Sequence, residues 1–355
     1  MTKILFLGRF FPVVHGASMM NEYYYKELQK EKDIDIRRIR INYSNTLDEL
    51  GKVNFKKFLG IMIVFFQTLY QLIIFRPDVV YFEIAIKGFA FYRDSVYGLL
   101  CKLFRRKIVF HFHGKGVVQN GYSKFLFKNT KVIILSPLLY DEVKDLIDEK
   151  NVVFCPNGIE DELNDDLFKE IINARLENKT LNLLYLSNMI ESKGYLEVLE
   201  ICNLLNKFKI DFKCFFVGSF DNVSMEQCFL DKIKSLNLDK RCFYLGSKYG
   251  KDKSKILKKT NYLIFPTTYS YEAFPLVILE AFMYGIPVLS YDNGAIKEMI
   301  NKDYLGYASK CDVDFLFKEL MFRKDIGEQP QMIRNNFLQN YTIDKAVKKI
   351  REILR

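Results

Sequence analysis

The feature that most restricts this chain is an alternation of short apolar, often β-branched runs with longer amphipathic stretches, repeated through two successive series. Strand, covering helix, strand is how parallel sheets are built, because both faces of such a sheet must be buried. In the first series, strands are expected over 3–7, 34–41, 78–82, 107–112, 131–135 and 151–154. Helices are expected over 17–30 with Ser18 as N-cap, and over 54–75, 88–103 and 138–148, with a polar loop at 43–51. Pro156-Asn157-Gly158 and a charged stretch at 160–179 then interrupt the pattern.

The second series predicts strands over 181–186, 214–217, 242–245, 262–265 and 287–290, and helices over 193–208, 224–236, 251–259 and 275–284. Residues 329–355 read as two helices, the first begun by Pro330 and the second set off by Tyr341-Thr342. A length of 355 residues exceeds one ordinary core, so two α/β domains are expected, with a boundary near 156–180. An apolar fraction of 49% excludes global disorder. The seven cysteines are odd in number and lack any CxxC, which points to reduced thiols and not to a disulfide or zinc framework. The N-terminal apolar run is broken by Arg9 and reads as a first strand, not a signal peptide.

Ligands of open α/β sheets sit beyond the carboxyl ends of the strands, and interdomain clefts hold ligands too. The stretches to watch are therefore 8–16, 111–114, 187–194, 218–220 and 267–276. No GxGxxG and no GxxxxGK[ST] occurs, so hydride transfer and P-loop hydrolysis lose their usual support. Gly16 precedes a helix, where backbone N–H groups can approach an anion; it can equally be a plain turn glycine. His15, His111 and His113 are the only histidines. His111 and His113 share one side of a strand, but without a nearby carboxylate they carry little of a metal site. His111 reads as a packed core residue and His113 as a strand-end donor to a polar ligand.

Lys193-Gly194 opens a helix, where a lysine opposes the helix dipole. It is either a solvated surface lysine or a cation sharing an anion with the helix N–H groups. The most informative stretch is 267–290, TTYSYEAFPLVILEAFMYGIPVLS. Pro275 suits a first helical turn. Glu280 is an isolated carboxylate in an apolar helix, which needs ligand hydroxyls or a neighbouring Lys or Arg. Glu272 lies in the loop before it.

Glu272 and Glu280, seven residues between them, inside EAFPLVILEAFMYGIPVLS, resemble the signature of retaining glycosyltransferases of GT-B architecture, family 4 (glycosyl transferases group 1), of the bacterial polysaccharide-biosynthesis type. The resemblance spans nearly the whole chain. It implies two Rossmann-like α/β/α domains facing each other across a cleft: 1–160 for the acceptor, 161–340 for the nucleotide-sugar, and a helix at 341–355 returning to the first. It implies that Glu280 binds ribose hydroxyls and Glu272 donor-sugar hydroxyls. Phe274, Pro275 and Leu276 would offer backbone N–H groups, and Lys193 would hold the diphosphate. Gly16, with Ala17 beside it, would let the diphosphate approach, and His113 would bond the sugar near the reaction centre. No metal or other cofactor is implied. One departure stands out. The family's Gly-Arg-Leu is here Ser187-Asn188-Met189, so Asn188 offers an amide where a guanidinium shares the phosphate load. Lys248, Lys251 and Arg9 are candidates to compensate.

Charge is uneven. Of a whole-chain net of +10, residues 52–131 alone carry +11, with 14 Lys or Arg against 3 Asp or Glu. The uncharged run 58–75, FLGIMIVFFQTLYQLIIF, lies in that region. Its 18 residues are the lower edge of a membrane span and fit better a core helix, a helix touching an anionic bilayer, or both. Nucleic-acid motifs are absent, and no nucleic acid is expected as a partner. The sequence reading is a retaining transferase on the inner face of the cell membrane. It would move a sugar from a nucleoside diphosphate, UDP first, to a glycan or lipid-linked saccharide in capsule or lipopolysaccharide synthesis. The alternatives are a UDP-sugar epimerase of the same shape and a non-catalytic glycan-binding subunit.

Overall fold

The computed structural model describes residues 1–11, 16–41, 55–309, 311–323 and 329–355, without the side chains of 55–57. His15, the 43–51 loop, Lys52 and the side chains of Lys56 and Lys57 lie outside the described residues. The chain divides into two units, Met1–Gly158 with Ile343–Arg355, and Ile159–Thr342.

The first unit opens with β1 (Thr2–Gly8), α1 (Gly16–Gln29), β2 (Ile34–Arg40), α2 (Phe55–Ile74), β3 (Val79–Glu83) and α3 (Gly88–Leu103). It continues with β4 (Lys107–Phe112), α4 (Gly121–Phe127), β5 (Lys131–Ile134) and β6 (Val152–Phe154). The strands form one parallel sheet in the order β2-β1-β3-β4-β5-β6. Central strands such as β3 are buried at every position, the pattern expected of strands covered on two faces. Edge strand β2 buries Ile34 and Ile36 on one face and Ile39 on the other, with Arg37 and Arg40 exposed. Right-handed crossovers put α1 on one face of the sheet and α2, α3 and α4 on the other. Helix α1 begins at Gly16, so Ser18 is buried within its first turn and is not the N-cap. No α-helix forms at 138–148. Ser136 caps a 3-10 turn at Pro137–Glu142, and a second 3-10 turn, Glu149–Asn151, leads into β6.

The second unit contains α5 (Asp165–Glu177), β7 (Leu181–Leu186), α6 (Tyr195–Lys207), β8 (Phe212–Val217), α7 (Val223–Ser235), β9 (Cys242–Tyr244), α8 (Gly250–Lys259) and β10 (Tyr262–Phe265). It is completed by α9 (Leu276–Met283), β11 (Val288–Tyr291), α10 (Ile296–Met299), β12 (Gly306–Ser309), α11 (Val313–Phe322) and α12 (Gln329–Asn340). Its sheet is also parallel, ordered β12-β11-β10-β7-β8-β9. The charged stretch at 160–179 is mostly α5, capped by Asn164 and anchored by Phe168, Ile171 and Arg175. Two buried guanidinium groups serve the carboxyl end of α9. Arg334 donates to the carbonyl of Met283 and to Asp161, and Arg175 donates to the carbonyl of Tyr284. Helix-end carbonyls with no intrahelical partner are satisfied in this way.

The last helix, α13 (Ile343–Leu354), belongs to the first unit and packs on α1. Its buried Ile343, Ala346, Val347, Ile350 and Ile353 form a single face, and Arg351 pairs with Glu31 at 2.6 Å. All seven cysteines are free, and only Cys228 and Cys311 are exposed.

Candidate nucleotide-sugar site

The strand order of the second unit reverses direction between β7 and β10. At such a switch point the loops leaving adjacent strands diverge and leave a crevice beyond the sheet. The loops here are 187–194 after β7 and 266–275 after β10. The Thr268 N–H donates to the Ser192 carbonyl at 2.8 Å and ties them together. Gly194 makes this approach possible. It adopts φ +91°, and a Cβ there would sit 2.4 Å from the Pro266 carbonyl oxygen. The chain therefore passes from a 3-10 turn, Glu191–Lys193, into α6 through a left-handed glycine. Lys193 belongs to that turn and precedes the helix proper.

Lys193 Nζ is ion-paired with Glu272 Oε2, and it also lies 4.6 Å from the centroid of the Tyr269 ring. Only 15% and 10% of the two charged side chains remain exposed, so this contact is largely screened from water. Burial, with Tyr271 and Glu272 adding to it, raises the Tyr269 phenol above its ordinary pKa and keeps it neutral. A third loop braces the stretch. Asn293 donates to the carbonyl of Tyr269 at 2.8 Å, and the Ala295 N–H to that of Ala273 at 2.8 Å. Gly294, at φ +61°, lies where a Cβ would be 2.3 Å from the Glu272 carbonyl oxygen.

Pro275 is the N-cap of α9 and not a residue of its first turn, because its ψ of 119° is extended. Phe274 is buried, Leu276 is half-buried, and no side chain caps the helix. The N–H groups of Leu276 and Val277 thus present the positive end of the helix dipole beside Glu272. One turn on, Glu280 accepts from Lys253 Nζ of α8 at 2.7 Å. A buried-facing carboxylate was expected to need a cation or hydroxyls, and Lys253 is that cation. Asn188 is exposed; its carbonyl is fixed by the Tyr185 hydroxyl at 3.0 Å, while its side chain projects from the β7 loop.

Apart from Lys248 and Lys251, which lie before and within α8, the remaining sequence candidates are in the first unit, also at the carboxyl edge of its sheet. Gly16 and Ala17 open α1. His113 follows β4, and its ring lies 4.0 Å, centroid to centroid, from that of His111. His111 is fully buried, with Nδ1 bonded to the Tyr81 hydroxyl. Burial, and then His113, hold it well below the ordinary 6.5, so it is neutral. Arg9 is already committed to two carboxylates. Its guanidinium pairs with Glu83 and Asp94, each at 2.7 Å. Burial opposes its charge, but those carboxylates outweigh burial and raise its pKa above the usual arginine value. Among the described residues, no three His, Cys, Asp or Glu side chains converge as a metal site.

Sequence reasoning did not single out Lys253, Tyr269, Asn293 or Gly294. Lys253 is one lysine in the run Lys251-Asp252-Lys253-Ser254-Lys255, and only the packing of α8 against α9 marks it. Tyr269 lay within the flagged 267–276 loop, directly after the strand-end threonines, and aromatic residues there were a usable signal.

Residues 168–337, almost all of the unit just described, match the sequence profile of the family glycosyl transferases group 1. The second unit is a glycosyl transferases group 1 domain. The protein that carries it is a glycosyltransferase. No curated protein matches the chain. Among solved structures, a glycosyltransferase from Rickettsia africae is 19% identical with a TM-score of 0.70, over 99% of this chain and 97% of that one. HepE from Anabaena, in complex with UDP, is 14% identical with a TM-score of 0.72, over 99% of each chain. WaaB, a lipopolysaccharide outer core galactosyltransferase, is 15% identical with a TM-score of 0.72, over 99% and 98%. At these identities the likeness concerns the fold, which is the GT-B class of two Rossmann-like units.

Proposed function

We propose that this glycosyltransferase moves a sugar from a UDP-sugar to a glycan or lipid-linked saccharide, with retention at the anomeric carbon and without a bound metal. The setting is surface polysaccharide synthesis, capsule or lipopolysaccharide, at the inner face of the cell membrane. The observation that carries the reading is the Lys193–Glu272 pair beside the uncapped start of α9. It sets a cation and helix N–H groups for a diphosphate next to a carboxylate for sugar hydroxyls. The structural neighbours HepE and WaaB support the choice of donor and of pathway class, since HepE is found with UDP and with UDP-glucose.

In the reaction, the bond from the anomeric carbon to the diphosphate oxygen breaks and a bond to the acceptor oxygen forms on the same face. The acceptor proton passes to the departing phosphate oxygen. Lys193 and the N–H groups of Leu276 and Val277 stabilise the negative charge that develops there. Glu272 orients the sugar and forms no covalent ester. Glu280 holds the ribose hydroxyls, with Lys253 keeping its carboxylate in place. Phe274 and Pro275 shape the turn that aims those N–H groups. Gly16 and Ala17 allow close approach of the diphosphate, and His113 bonds the sugar. Asn188 supplies a neutral amide to the phosphate, so donor binding leans on Lys193 more than in a site that has two cations.

Thermal unfolding with UDP, GDP and their sugar conjugates tests this directly, because a ligand of the folded state raises Tm by mass action. UDP and one UDP-sugar should stabilise, and product analysis with saccharide acceptors should show transfer with retention. Epimerisation of the donor without acceptor would replace the transferase reading with an epimerase. Saturable glycan binding without turnover would replace it with a binding subunit.

A further inference from the structure

We infer that the outer surface of α2 and α3 is a docking face for an anionic lipid bilayer. Helix α2 is apolar on two opposite sides. Val64, Thr68, Leu72 and the following Phe75 are buried against the first unit's sheet. On the opposite side Leu59, Ile63, Phe66, Tyr70 and Ile73 are each about half exposed, from 46% to 58%. A helix that covers a sheet ordinarily turns charged residues outward. Here that stripe recurs every three or four residues with no charge in it.

Helix α3 repeats the pattern beside it. Its buried side includes Phe91, Tyr97 and Leu100, while Phe89, Tyr92, Val96 and Leu103 face out, with Phe89 and Leu103 more than 70% exposed. The two helices are packed together, and the Tyr97 hydroxyl donates to the Ile61 carbonyl at 3.2 Å. Both feed parallel strands, so they run the same way and their stripes lie side by side as one exposed apolar surface. No helix of the described residues is long and apolar enough to cross a membrane, and the inner side of α2 is already occupied by its own sheet. Helices of this kind lie along an interface with one side in the headgroup and acyl boundary.

Charge selects the occupant. Arg76 follows α2, Arg105 and Arg106 follow α3, and Lys107 and Lys131 open β4 and β5, so these cations line the amino edge of the sheet beside the stripes. Of the region's three acids, Glu83 and Asp94 are buried in ion pairs with Arg9. Lys107 is held below the ordinary lysine value by burial and then by Lys131, and Lys102 by burial and then by Lys128, which marks positive charge in excess. Along the other flank, a groove between β2 and α2 is lined by Arg38, Arg40, Gln67 and Gln71 and opens at Ile63. A second copy meeting this face about a two-fold axis would bring like charges together. Anionic headgroups beside acyl chains match both halves of the surface.

This deepens the lipid-linked-acceptor reading above and rests on it. The test is co-sedimentation of the full chain with vesicles of phosphatidylcholine alone and with about one third phosphatidylglycerol. Binding should be strong only to the anionic vesicles, and it should weaken as salt rises. Phe66→Ser and Ile73→Ser should each lower the partition coefficient about tenfold. Both positions are exposed, so far-UV circular dichroism and the UDP-induced shift in Tm should stay as in wild type. No binding to either vesicle, equal binding to both, or a dimer that Phe66→Ser abolishes would overturn the inference. Those results with the UDP shift intact would leave the transferase reading standing, whereas loss of the UDP response alone would strike that reading and spare this one.

Discussion

Replacing Lys193 by alanine separates what the Lys193–Glu272 pair does for the fold from what it does for the reaction. The substitution leaves the Glu272 side chain, 10% exposed, without its cation. Breaking a fully buried pair costs about 3–5 kcal/mol, and the residual exposure of both partners reduces this to about 2–3 kcal/mol. For a unit of this size that is a fall in Tm of about 5–10 °C. The double variant Lys193→Met/Glu272→Gln removes both charges and keeps the volume, so it should regain most of the lost stability. Turnover should not follow. Both variants lack the ammonium that meets the leaving diphosphate, and each should transfer about 100-fold more slowly than wild type. Thermal unfolding, UDP titration calorimetry and initial rates on the three proteins supply the comparison. A double variant no more stable than Lys193→Ala would refute the ion-pair reasoning. Wild-type UDP affinity and rate in Lys193→Ala would remove this lysine from the donor site.

Gly194→Ala must place a Cβ against the Pro266 carbonyl from a left-handed backbone, and it should cost about 2–4 kcal/mol and weaken UDP binding at once. Unchanged Tm and unchanged UDP affinity would show that the 187–194 and 266–275 loops need no such close approach. His111 is neutral in the folded protein but takes a proton on unfolding once the pH is below its ordinary 6.5. The unfolded state then binds more protons, so stability is lost as pH falls through that value, by up to about 1.4 kcal/mol per pH unit. Urea midpoints between pH 7 and pH 5 should therefore drop more steeply for wild type than for His111→Asn, and parallel curves would contradict the assignment.

Much of the fold could be read from the sequence because parallel strands buried on two faces are plain apolar runs. The runs at 107–112, 181–186 and 262–265 needed no other signal. Where the reading missed, a local rule yielded to a tertiary one. Residues 138–148 have helix-forming composition, but the chain must turn quickly from β5 to β6, and the Ser136 cap closes it into 3-10 geometry. Helix α5 was masked by its charge, since Phe168 and Ile171 are its only buried apolar residues, although Asn164 with Asp165 and Asp166 is a clear start signal. Helices α4 and α11 and strand β12 were not singled out; they are short, at seven, ten and four residues. At the site, Glu272, Glu280 and Lys193 were visible as charges in places where charges are costly. Lys253 acts through a contact with another helix and Gly294 through one with another loop, which no local pattern encodes.

Because α13 completes the first unit, that unit is made of two pieces of chain separated by the whole of the second. Nearly all of the second unit is synthesised while α1 still lacks the helix that covers it. Until residues 343–355 emerge, the side of α1 that receives Ile350 and Ile353 is open to water and to other nascent chains. A nonsense change anywhere in α13 would thus spare the nucleotide-sugar domain and yet leave its companion half-finished, a defect to be looked for as chaperone retention or proteolysis and not as loss of UDP binding.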